Sequence, residues 1–200
     1  MPLSFSYQKT TQALNFFARK NSGKINKLKA LKLLYFADRY HLRKYGRPIT
    51  NDEYFAMNYG PVPSGAKDLA VGSDFLAQTE KDYAGKFICA TTERYEFSSL
   101  ANVEEDVFSE SDREALKFSW DTFSCYGEFK LAELTHEYPE WKKHESALKD
   151  GLNSRVKMNY SDFLEDSQSA LNPCHPLSHD ERNLRREEIE ELSEIHALWN

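Results

Sequence analysis

The chain has 200 residues, 32 Asp+Glu against 26 Lys+Arg and a formal net charge of −6, a length that suits one core with at most a small appendage. Hydrophobic content of 40% with 14% aromatic residues excludes a disordered or low-complexity chain. The charge is lopsided: residues 1–50 hold eleven Lys/Arg and a single acid, Asp38, which makes nucleic acid, membrane headgroups or an acidic protein candidate ligands of that quarter.

In chain order, Ser6 or Thr10 caps a first predicted helix to about Asn21, with Leu14, Phe17 and Ala18 inward. A second helix spans about Asn26 to Lys44. Leu28, Leu31, Leu34, Tyr35, Asp38, His41 and Leu42 share one face, and Lys27, Lys32, Arg39 and Arg43 fall mostly off it. Gly46-Arg47-Pro48 stops it. Glu53–Tyr59 reads as a strand, closed sharply by Gly60-Pro61-Val62-Pro63, with short helices at Ser64–Leu69 and near Asp74–Gln78. Lys86–Ala90 and Arg94–Phe97 form a predicted hairpin around Thr91-Thr92-Glu93. Ser111-x-x-Glu114 fits a capping box opening a helix to about Tyr126, and Glu128–His136 forms another. A short helix starts at Ser161, residues 167–179 read as a polar linker, and residues 180–200 as an acidic amphipathic helix. The expected fold is mainly α with a small antiparallel β element: a body over 1–166, the linker and a helical tail.

The longest apolar cluster, Leu31–Ala37, is broken by Lys32 and too short to span a bilayer, and Met1–Tyr7 lacks a signal pattern. Three widely spaced cysteines, Cys89, Cys125 and Cys174, suit reduced thiols, so a cytoplasmic protein with no membrane partner is expected. Catalytic and cofactor motifs fail on spacing. His136-Glu137 has no second histidine at position 140, Cys174, His175 and His179 lack a Cys-x-x-Cys, and the eight glycines build no phosphate loop, so neither metal nor cofactor is expected. Asp38 on an apolar face must find donors. A structural bond to a loop amide or tyrosine is favoured over a general base working with His41 or His136. The basic quarter permits a helix-turn-helix reading, but the Leu/Tyr/Phe content of its second helix marks a core helix rather than one free for base edges.

Three blocks, Lys32–Leu42, Tyr45–Asp52 and Tyr59–Ser64, with Thr135-His136 and Trp141 further on, resemble the Panacea domain of SocA-like antitoxins, a domain also found in phage-associated proteins. The resemblance implies a non-enzymatic domain that neutralises a cognate toxin by direct contact. Toxins of the family include alarmone-synthetase-like enzymes that modify tRNA, and one relative delivers its toxin to a protease instead. It also marks Leu34, Tyr35, Asp38, His41, Gly46, Pro48, Tyr59, Gly60, Pro61, Val62, Pro63, His136 and Trp141 as motif residues, which read as scaffold. Partner contact is then expected from exposed members of the basic set (Arg39, Arg43, Arg47), from Tyr54 and Met57, and from the tail stripe Leu184, Ile189, Leu192 and Ile195. A nucleic-acid-binding regulator, or an adaptor for the toxin, is the alternative.

Overall fold

A computed structural model describes residues 4–93, 95–150, 153–167, 172 and 174–198, with the backbone alone at 193 and 195–198. Helix α1 (Tyr7–Lys20) starts on Ser6, whose Oγ accepts from Lys9 N. A three-residue strand β1 (Lys24–Asn26) leads into α2 (Lys27–Tyr45), capped by the Asn26 side chain and ended by Gly46 at φ +76°. Helix α2 runs through the middle of the molecule, against α1, α3 (Ser64–Val71), α5 (Glu110–Phe123) and α6 (Glu128–Thr135). Its sequence was expected to keep a charged face outward. Instead Lys32, Arg39 and Arg43 are fully buried along with Leu34, Tyr35 and Phe36, because the middle of the helix is covered by the elements packed around it.

Strand β2 (Tyr54–Met57) pairs antiparallel with β3 (Gly60–Pro63). The Gly-Pro-Val-Pro run expected as a turn is therefore a strand, and the turn is Asn58-Tyr59. The prolines fit because β3 is an edge: they stand opposite Ala56 and Tyr54, where missing N–H groups cost no inner ladder bond. The other side of β2 is taken by β6 (Val156–Lys157), a two-residue strand with no sequence signature. Helix α4 (Gln78–Phe87) begins where the helix near Asp74–Gln78 was expected to end, fixed by Glu80 accepting from Ala77 N, and it claims Lys86 and Phe87 from the expected strand. The hairpin is otherwise present as β4 (Ile88–Ala90) with β5 (Glu96–Ser99), and β1 adds to β5. Arg94, expected in its second strand, lies outside the described residues.

Helix α5 uses Ser109 and Asp112 rather than Ser111 and Glu114 as its capping box, each side chain taking the other's backbone N–H. That register leaves Glu114 to accept from Lys44 Nζ and Tyr45 OH. Two short helices, α7 (Pro139–Lys142) and α8 (Glu145–Lys149), and a 3-10 helix at Tyr160–Leu164 follow. The expected polar linker is, where described, packed on the body: Cys174 and Leu177 are buried, and Tyr138 OH donates to Asn172 O. Helix α9 (His179–Leu198) then folds back through Arg182, Arg185 and Arg186.

Candidate functional site

Three polar nodes grow from α2. Asp38 faces the loop that follows the helix. Its Oδ1 accepts from Ile49 N (2.8 Å) and Thr50 N (3.2 Å), and its Oδ2 from Thr50 Oγ1 and Tyr54 OH (2.9 Å). Four donors nearly saturate the carboxylate, as the structural reading of this residue expects, yet burial without a cation pushes its pKa up to about 6. Next to it Asp52 accepts from Gly65 N and Ala66 N at the start of α3 and is pushed up to about 7, again by burial. Nothing in the sequence spacing marks Asp52 as a helix cap, since it caps a helix twelve residues on.

The second node joins α2 to the β2–β3 hairpin. Lys32 Nζ donates to Pro61 O (2.6 Å), and desolvation lowers its pKa to about 7. Gly60 lies at φ +90°, and a Cβ there would overlap Thr135 Oγ1 and stand 3.1 Å from Lys32 Nζ. Trp141 Nε1 donates to Met57 O, while the His136 ring stacks on Trp141 at 3.7 Å. The Thr135-His136 and Trp141 block thus braces the hairpin from below.

At the third node Arg39 lies 3.3 Å from Glu140, which also accepts from Tyr35 OH, and stacks on the Tyr138 ring. Arg39 and Arg43 together donate to the carbonyls of Phe163, Leu164 and Glu165, the end of the 3-10 helix. Arg43 further bonds Asp166 and His175 O. These two guanidiniums, expected to contact a partner, instead bind the chain's own last third. Tyr54 is likewise buried under Asp38, and Met57 is half-buried with its carbonyl taken by Trp141. Position 140 enters the sequence reading only as a missing histidine; a lone acid after Tyr-Pro carries no pattern that marks Glu140 as the partner of Arg39.

His41 Nδ1 faces Arg47 O at 2.6 Å and Nε2 faces Ser111 Oγ at 3.0 Å and Asp112 at 3.3 Å. The acid stands on the same nitrogen as the hydroxyl, opposite to the order of a Ser-His-Asp triad, and the imidazole has no exposed surface. Asp38 is taken up by Ile49, Thr50 and Tyr54, His41 by Arg47 O and Ser111, and His136 stacks on Trp141, so no hydrogen bond joins the groups of the hydrolase reading among the described residues. Arg47 is half-exposed beside Asp112, Pro48 offers its carbonyl to Arg47, Leu184 is 51% exposed, and Ile189 and Leu192 are half-buried. The contact expected at Ile195 lies outside the described side chains.

The outward side of the hairpin is different. Gly60–Pro63 are all buried, but Tyr59 is 61% exposed and pairs with Phe129, 63% exposed, at 6.3 Å between ring centroids.

A family model described as "Antitoxin SocA-like, Panacea domain" matches residues 31–142, more than half the chain. The chain belongs to the Panacea family. Comparison with curated proteins and with solved structures returned no match. The Panacea match runs from α2 through α7 and includes the three nodes, whereas the carbonyls that Arg39 and Arg43 engage lie beyond it. Membership implies a toxin as partner. No helix among the described residues is long and apolar enough to cross a membrane.

Proposed function

We propose that this Panacea protein is a cytoplasmic, non-enzymatic antitoxin that neutralises a cognate toxin by direct contact through its exterior. The family match carries the reading, and the consumption of the α2 polar groups inside the fold supports it. Asp38, Arg39, Arg43 and His41 are engaged with the chain's own atoms, so recognition falls to surface groups. The exposed Tyr59–Phe129 pair is the best-placed aromatic anchor, of the kind that dominates protein interfaces. Membership of this family leaves the chemistry of the toxin open, a tRNA-modifying enzyme included.

Co-expression with the product of the adjacent gene tests the reading. Growth arrest by that product is expected to be relieved by the wild-type protein and not by a Tyr59→Ala/Phe129→Ala variant of unchanged melting temperature. Failure of the wild type to relieve arrest would count against an antitoxin role. Relief by both proteins would remove the aromatic pair from the interface.

A further inference from the structure

The tail helix α9 has two unlike halves. Its first half is tied to the body by cations: Arg182 to Asp166, Arg186 to Glu165, and Arg185 to the carbonyls of Arg43 and Lys44. The other side of the helix carries Leu184, Glu187, Glu191 and Glu194, spaced three, four and three residues apart, which places them on one face. All four are exposed, and the three glutamates make no ion pair among the described residues. An acidic strip with one projecting leucine is thus held out from the molecule, on a helix whose opposite side is fixed.

The complementary surface lies between α1 and α5. Phe16, Leu116 and Trp120 line a groove of about 250 Å³. Around it stand Arg19, Lys20, Arg113 and Lys117, all exposed, against the acids Glu105 and Asp121. Lys117 pairs with Asp121, but the other cations keep their charge. Arg19 donates to Ala101 O, Arg113 to Glu105 O and Phe108 O, and Lys20 lies over the Phe16 ring, none of which neutralises a cation. Here the charge of the basic N-terminal quarter comes to the surface beside an apolar floor.

We propose that this groove receives the acidic face of α9 from a second copy of the chain, Leu184 seated among Phe16, Leu116 and Trp120 and the glutamates against Lys20, Arg113 and Lys117. The charges are opposite and both surfaces join apolar to ionic character, as in a helix-in-groove contact. Each copy carries both halves, so the contact made reciprocally closes a twofold dimer.

Sedimentation velocity of the full chain over a range of concentrations, at low and at high salt, tests this. A dimer at low salt that weakens with salt is expected. Glu187→Lys/Glu191→Lys should weaken the dimer about tenfold or more, as should Lys20→Glu/Lys117→Glu. An equimolar mixture of these two variants should form a heterodimer through one contact of reversed charge and one of native charge. All four positions are exposed, so circular dichroism melts of the variants should overlay the wild type. A chain that stays monomeric at every concentration overturns the proposal, as does a dimer that neither variant weakens, or retention of single-stranded nucleic acid by the groove with no dimer.

Discussion

Asp38 collects four donors from the loop after α2, so replacing it tests how that loop is held. Asp38→Ala leaves two buried amides and two hydroxyls without an acceptor and should cost about 3 kcal/mol or more, while Asp38→Asn keeps an oxygen for the amides and should cost about 1 kcal/mol. Urea denaturation measures both. Asp38 and Asp52 are raised from 3.8 to about 6 and about 7, so the native fold binds their protons more tightly than the unfolded chain. The stability from this linkage is complete below about 3.8 and lost as pH rises through 6 to 7. Wild type should therefore gain on Asp38→Asn between about pH 7 and about pH 5. A parallel pair of pH profiles would contradict an ionising, cation-free Asp38. At the hairpin, Gly60→Ala meets both an unfavourable φ and the Thr135 hydroxyl and should cost about 2 kcal/mol or more. Lys32→Met removes a buried ammonium with no carboxylate partner and should be neutral within about 1 kcal/mol in thermal melts.

Between elements, the two arginines of α2 do what a second hydrophobic face would otherwise do: they seat the 3-10 helix by its carbonyl end. Arg39→Met strands Glu140 in the core and should destabilise by about 3–5 kcal/mol, and Arg39→Met/Glu140→Met should recover most of that loss. The tail is held differently. Its ion pairs are solvent-exposed and of the class worth little individually, so deleting residues 180–200 should leave a cooperative melt within about 2 kcal/mol of the parent. Loss of the cooperative transition would place α9 in the core. The helices, the β4–β5 hairpin and Asp38's structural bond were legible because each follows from local spacing, capping or one isolated charge. The strand at Gly60–Pro63 was not, since proline tolerance depends on an edge that only pairing reveals. Nor was the burial of Arg39 and Arg43, whose acceptors are backbone carbonyls some 120 residues away that no side-chain pattern announces.

Across the whole molecule, the basic quarter is largely spent on the acidic remainder. Lys9 and Arg47 meet Asp112, Lys24 meets Glu96, Arg39 meets Glu140, Arg43 meets Asp166 and Lys44 meets Glu114. A sequence asymmetry that admitted nucleic acid as a ligand thus becomes an internal match of charge, with Arg19 and Lys20 left exposed at the α1–α5 groove. Direct neutralisation of a toxin by this exterior is tested by mixing the purified protein with the purified product of the neighbouring gene and following co-elution together with toxin activity. A stoichiometric complex is expected, in which activity is suppressed with no protease and no nucleic acid present. Separate elution with full toxin activity, or suppression only once a protease is added, would contradict it.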